Sequence, residues 1–183
     1  LGVYYGYINT KRYKYLLMNL RRSRQAMNDF AKYVIQQSRS NLTKGNKNVS
    51  KKLYNSLDKK IIKTKRGLEL TFEMLDYGLF QDKGVSGTKK KYNTPYSYTN
   101  KRPPSSVFDK WSVRKGIAPR QDGGQFAKRK GLNFIIARSI FEQGIRPSLF
   151  FTKPFEKRFN NFINEFQTGI SDDFENDLQD EKG

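Results

Sequence analysis

The sequence predicts an α+β fold: a small antiparallel sheet packed by long amphipathic helices near both ends of the chain, with a long basic and aromatic loop inserted between them. Three observations carry this. Apolar residues recur at helical spacing over 15–38 and again over 155–170. Between them, Leu68, Leu70, Phe72 and Met74 alternate with Glu69, Thr71 and Glu73 behind a glycine. With 183 residues the chain has room for one domain with a real core. We read 1–170 as that domain, 85–131 as its extended insertion, and 171–183 as an acidic tail.

The first helix is expected over Tyr15–Ser38. Leu16, Leu20, Met27, Phe30, Ala31, Val34 and Ile35 share one face, and Arg21, Arg22, Arg24, Asp29 and Lys32 lie largely on the other. Residues 39–50 are polar and turn-forming. A short helix follows, with Ser50 as its N-cap and Leu53 and Leu57 four apart. Lys59–Lys65 and Leu68–Met74 then flank Arg66 and Gly67, the pattern of an antiparallel hairpin.

After the turn Asp76–Gly84 comes an aliphatic-poor stretch from Val85 to Arg102. It interleaves Lys89, Lys90, Lys91, Lys101 and Arg102 with Tyr92, Tyr96 and Tyr98. A long irregular loop inside a domain is usually functional or disordered. An arm that orders against a neighbouring subunit is the favoured reading. A nucleic-acid track, in which lysines follow phosphates and tyrosines stack bases, stays open, as does plain disorder.

Pro103–Ser106 opens a further helix with Val107, Phe108, Trp111 and Val113 on its apolar side, and Trp111 is assigned to the core. Gly116–Gly124 breaks it. Another helix is expected over Gln125–Gln143, carrying Phe126, Leu132, Ile135, Ile136, Ile140 and Phe141, with Gly144 as its C-terminal cap. Thr152 is expected to cap, and Pro154 to sit in the first turn of, a last helix that presents Phe155, Phe159, Phe162, Ile163, Phe166 and Ile170. The expected core is Leu20, Met27, Phe30, Val34, Leu70, Phe72, Phe155, Phe159 and Phe162.

Charge separates function classes. The chain holds 36 Lys and Arg against 17 Asp and Glu, a net +19, and neither histidine nor cysteine. Those absences remove the commonest proton-transfer, zinc-binding and thiolate chemistry. The tail takes six of the acids (Asp172, Asp173, Glu175, Asp177, Asp180, Glu181) and one base, leaving 35 bases against 11 acids in 1–170, a net +24. A positive body with a negative tail suits DNA nearby, an acidic protein surface nearby, or copies contacting head to tail.

No run approaches about 20 apolar residues, so no membrane span is expected. Residues 1–7 lack the basic-then-apolar pattern of a secretory signal. Gly84–Lys89 matches no phosphate-binding loop. Asp76 and Asp82 flank a turn, but two acids without further oxygen ligands make a weak cation site. No serine is marked by a base. No catalytic residue, cofactor or metal is expected, and the chain reads as a binder or assembler.

The order of motifs carries a resemblance. A long helix and an Asn- and hydroxyl-rich loop lead to Lys51–Leu57 (KKLYNSL), with Leu53 and Ser56. Tyr77–Gly84 (YGLFQDKG) follows the hairpin. Ile145–Phe155 (IRPSLFFTKPF) opens the last helix with Arg146, Pro147, Leu149, Pro154 and Phe155. Over about residues 20–166 this resembles the tail-completion (head–tail joining, or neck) proteins of tailed bacteriophages. The corresponding family elements are Thr-Gly-x-Leu-x-x-Ser-Ile, aromatic-x-x-x-x-Glu-x-Gly-Thr and Ala-Arg-Pro-Phe-Leu-x-Pro-Ala. The family's Gly before the Leu element is replaced by Asn46–Val49. Its turn acid corresponds to Asp82, displaced by one position, and the connection Val85–Gly131 is longer than usual. The composition and the insertions point to a ring protein of an AT-rich, crAss-like podovirus.

The resemblance implies a virion neck protein that assembles in the host cytoplasm into a homo-oligomeric ring, twelvefold if it follows portal symmetry. Portal, adaptor and tail proteins would be its neighbours, and DNA would pass through the ring without sequence-specific contact. Lys89–Arg102 would be the intersubunit or inter-ring arm, and Asp172, Asp173, Glu175 and Asp177 a complementary acidic surface. The competing expectation is a basic protein that binds or organises nucleic acid. A third, an adaptor for an acidic cellular protein, has no positive sign in the sequence.

Overall fold

The computed structural model describes residues 20–64, 67–118, 120, 124–125 and 128–180. Leu16, Lys65, Arg66 and Phe126, and the acidic tail from 181 onward, lie outside these. The elements in order are α1 (Arg21–Lys44), α2 (Lys52–Ser56), β1 (Asp58–Thr64), β2 (Gly67–Glu73) and α3 (Tyr77–Lys83). A 3-10 turn over Ser105–Phe108 runs into α4 (Asp109–Arg114), followed by α5 (Arg129–Gln143) and α6 (Thr152–Asp180). The fold is α+β, with long first and last helices packed together beside a two-stranded antiparallel sheet.

The chain forms two compact units. One holds α1 as far as Gln36, the hairpin, and α6 from Pro154; the other holds Gln37–Leu57 and Met74–Lys153.

Phenylalanines make the core of the first unit. Phe30 is fully buried and stacks on Phe162, with ring centroids 4.4 Å apart. Phe155 and Phe72 meet Phe30 edge-on at 5.3 and 6.1 Å. Such pairs contribute about 0.5–1.5 kcal/mol each beyond the area they bury. In the hairpin, Lys59 pairs with Phe72 and Ile61 with Leu70, and these four lie on the half-buried face. A two-stranded hairpin alone is marginal in water. This one is held by Phe72 in the aromatic cluster and by Arg24, whose Nη2 donates to Ile61 O at 3.2 Å. Lys59 Nζ donates to Asn28 Oδ1, and burial together with the nearby Lys32 charge lowers its pKa.

Of the nine expected core residues, Met27, Phe30, Val34 and Phe162 are buried, and Leu20, Leu70, Phe72 and Phe155 are half-buried. Phe159 is 39% exposed: it stacks on Phe155 at 5.4 Å from the edge of the cluster.

Several expected boundaries change. α1 continues to Lys44 through the stretch read as a polar turn, because Ser38 and Leu42 extend its buried stripe. Its polar residues there bind loop backbone: Arg39 donates to Tyr54 O and Leu57 O at 3.1 and 2.9 Å, and Asn41 to Phe150 O at 3.1 Å. Ser50 does not cap α2; Lys51 occupies that position in a left-handed conformation, with no side-chain cap. The turn Tyr77–Gly84 contains a helix. α5 begins at Arg129, and Ile135 points outward while Asn133 and Ala137 form its buried line. Trp111 is not core but 39% exposed, because Ser112 faces inward on α4 and donates to Asn133.

Candidate interaction surfaces

Val85–Arg102 is irregular, yet it is held to its own unit around Ser86. Ser86 N donates to Tyr96 O, Tyr98 N donates to Ser86 O, and Tyr92 N donates to Ser86 Oγ, at 2.8, 2.8 and 2.9 Å. Val85 and Ile145 exchange both backbone hydrogen bonds at 2.8 Å. Glycine permits this crossing. A Cβ on Gly87 would sit 2.2 Å from Glu142 O, and one on Gly144 would sit 2.1 Å from Val85 O.

The basic residues of the loop divide. Lys89 Nζ forms an ion pair with Glu142 Oε2 at 2.8 Å, and Arg138 Nε reaches the other carboxylate oxygen at 2.9 Å. These two hydrogen-bonded cations hold the Glu142 carboxyl below its usual range. Lys91 Nζ donates to Gly87 O at 2.9 Å. Lys90 lies over the Tyr92 ring at 5.6 Å, and the Arg102 guanidinium lies over Phe134 at 4.2 Å. Lys101 is exposed.

The three tyrosines are half-buried. Tyr96 meets Phe80 edge-on at 4.8 Å, and Tyr98 lies 6.1 Å from Phe141, where burial raises its pKa. With Tyr77 and Phe80, Tyr96 and Tyr98 wall a groove of about 660 Å³. Burial raises the Tyr77 pKa too, while a hydrogen bond from the Leu53 backbone opposes the shift.

The segments that carry the family resemblance meet in space. Ser148 N and Leu149 N donate to Asp82 O at 3.1 and 3.0 Å, and Ser148 Oγ donates to Gln81 O at 2.6 Å. Gly84 approaches Pro147 so closely that a Cβ would lie 2.6 Å from its Cδ. Ser56 Oγ donates to Leu53 O at 3.0 Å and accepts from Leu75 N at 3.2 Å, joining α2 to the chain ahead of α3. Leu53 is buried and Arg146 exposed. Pro154 is buried in the first turn of α6, with Phe155 next to it in the aromatic cluster.

Asp82 organises the start of α6. Its Oδ1 accepts from Phe151 N at 2.8 Å and Thr152 N at 3.2 Å, and its Oδ2 accepts from Thr152 Oγ1. The cap of α6 is therefore Asp82, a carboxylate remote in sequence, and not Thr152. Both carboxylate oxygens are occupied, so Asp82 is not disposed as a cation ligand. Among the described residues no group of three or more acids could hold a metal ion.

The four acids assigned to a tail surface have separate surroundings. All four lie in α6, which continues to Asp180. Asp173 is buried and binds the first turn of α1 through Arg22 N, Ser23 N and Ser23 Oγ. Asp172 pairs with Arg22 at 3.6 Å. Glu175 is exposed and Asp177 half-buried. Composition alone could not separate Asp173 from its neighbours; the signal lay in the helical phase, which puts it four residues after Gly169, where α6 passes the backbone of Ser23.

A cationic cluster escaped the sequence reading. Lys115 Nζ donates to Asn46 O at 3.0 Å beside Lys47, and Lys47 has its pKa lowered by burial and by the charges of Lys115 and Arg146. No helix among the described residues is long and apolar enough to cross a membrane. Comparison with protein-family models, curated proteins and solved structures gives no match.

Proposed function

We propose that this chain is a structural subunit of the head–tail connector, or neck, of a tailed bacteriophage. It assembles in the host cytoplasm into a homo-oligomeric ring around the DNA channel, twelvefold if it follows portal symmetry, between portal or adaptor proteins and tail proteins. The observation that supports this reading is the packing of Tyr77–Gly84 against Ile145–Thr152 through Asp82. These are two of the segments whose order resembles the tail-completion family, and they lie about seventy residues apart in sequence. Motifs matched by accident have no reason to share a buried carboxylate.

The charge agrees with a place beside DNA. Ion pairs cannot neutralise a chain with a net +19, and two of its acids, Asp82 and Asp173, are buried. A basic surface without base-reading motifs provides contact that is independent of sequence.

Gold-labelled antibody on particles purified from the source tests the assignment. Label confined to one vertex, between capsid and tail, is the expected result; label over cellular DNA or RNA with unlabelled particles overturns it.

A second reading, a protein that binds and organises nucleic acid, is favoured by the groove walled by Tyr77, Phe80, Tyr96 and Tyr98 in a chain of net charge +19. Aromatic side chains beside cations stack unpaired bases. This reading requires tight, saturable binding whose logarithm falls linearly with the logarithm of salt, and binding that Tyr96→Ala weakens.

A further inference from the structure

Two exposed stripes on this chain are complementary. On the last turns of α6, Ile170, Phe174 and Leu178 recur at i, i+4 and i+8 and are 41%, 52% and 42% exposed. They form an apolar stripe about 12 Å long. Glu175 and Asp177 flank it. The same turns bury Asp173 against α1 and, among the described residues, leave the stripe uncovered.

The second stripe runs along the 3-10 turn and α4. Val107 is 59% exposed and Trp111 39%, and they sit four apart, while Ser112 next to Trp111 is buried. Lys110 and Arg114 border them and are exposed. The local acid, Asp109, is half-buried, accepts from Asn133 Nδ2 at 3.2 Å and pairs with Arg129. This stripe is therefore apolar with a basic border, and at about 6 Å from Val107 to Trp111 it is half the length of the first.

We infer that the Ile170–Phe174–Leu178 stripe docks on the Val107–Trp111 stripe of a second copy of this chain, with Glu175 facing Lys110 and Arg114. Apolar side chains supply the burial, and the opposite borders fix orientation and discourage wrong pairings. Like stripes cannot pair with themselves, because their borders repel. The contact is therefore heterologous: each copy offers both surfaces and binds a neighbour on each side, which closes a ring or propagates. DNA is a poor occupant of the α6 stripe, since its acidic border repels phosphate. The inference goes beyond the connector reading and does not depend on it, because it concerns the purified chain.

The chain has one tryptophan, Trp111, so its emission reports on the acceptor stripe. Multi-angle light scattering and Trp111 emission would be measured on the full chain over a concentration series at low salt. The expected result is a mass rising above that of the monomer, with a blue shift of Trp111 over the same range. Glu175→Lys and Lys110→Glu should each move the association midpoint at least roughly tenfold higher, since like charges then face each other. The double variant should recover most of that shift. Phe174→Ala should raise the midpoint with unchanged circular dichroism.

A mass that stays monomeric at every concentration overturns the inference, whatever the Trp111 emission. So does association that the double charge swap fails to restore. The connector reading would survive either failure, since labelling of particles tests it separately.

Discussion

The Asp173 carboxylate closes the N-terminus of α1 from a position 150 residues away in sequence, accepting from Ser23 N at 2.9 Å and from Ser23 Oγ at 2.7 Å. Its other oxygen accepts from Arg22 N at 2.8 Å. The first turn of a helix has backbone donors with no intrahelical partner and carries partial positive charge. A negative group there both satisfies the donors and meets the dipole. Gly169 makes this possible, because a Cβ at that position would lie 2.9 Å from Ser23 N.

Asp173→Ala should therefore destabilise the chain by about 2–3 kcal/mol, the cost of leaving buried donors unmet. Asp173→Asn keeps an acceptor oxygen and should cost less, about 1 kcal/mol. Urea unfolding followed by circular dichroism measures both. A free acidic tail would predict changes under about 0.5 kcal/mol for either variant.

Asp82 performs the same task for α6 and gives a sharper comparison with its neighbour Asp76. Asp82 is buried with both oxygens occupied, whereas Asp76 is exposed. Asp82→Ala should lower stability by about 2–3 kcal/mol and Asp76→Ala by less than about 0.5 kcal/mol. Equal losses in urea unfolding would mean that the cap geometry contributes nothing.

Gly144 has φ near +74° and stands where a Cβ would collide with Val85 O. Gly124 has a similar φ of +77°, but open space around it. Gly124→Ala should cost only the conformational penalty, about 1 kcal/mol. Gly144→Ala adds a backbone collision and should cost upward of about 3 kcal/mol. It should also abolish amide protection at Val85 and Ile145, which hydrogen exchange would detect. Protection unchanged in Gly144→Ala would contradict the crossing of these two segments.

How far the sequence could be read follows from which physics acts locally. The α1 stripe through Met27, Phe30 and Val34, the Leu68–Met74 alternation and the phenylalanine face of α6 are periodic, and periodicity survives without knowledge of the partner. The end of α1 was misplaced because residues 39–44 are polar in composition, although Ser38 and Leu42 keep the buried phase and Arg39 and Asn41 bind backbone. Trp111 shares the apolar side of its helix with Val107 and Phe108, yet on so short a helix the small Ser112 takes the buried position. Asp82 and Asp173 illustrate a harder limit. Their partners lie some 70 and 150 residues away, so no local pattern distinguishes them from solvent-facing acids. The division into two units is also unmarked by composition, since each is assembled from separated stretches of chain.

Glu142 supplies a pH dependence with a definite sign. Hydrogen bonds from Lys89 and then Arg138, with their charges, hold its carboxyl below the usual range, and only modest burial opposes them. A carboxyl depressed in the folded chain stabilises it above the unfolded value, near about pH 4.3. That contribution is lost as pH falls through the lower folded value, when protonation removes both ion pairs. The loop then keeps its backbone ties to α5, among them Thr88 N to Phe141 O and Lys89 N to Glu142 O at 2.9 Å each, and its aromatic contacts through Tyr98 and Arg102. Amide protection factors at Thr88 and Lys89 should therefore fall between pH 5 and acid conditions, more than those of Val85. Glu142→Gln should show the lower protection at both ends and no pH step. A Glu142 side chain that titrates at an ordinary carboxyl value in an NMR titration would overturn this account of how the loop is held.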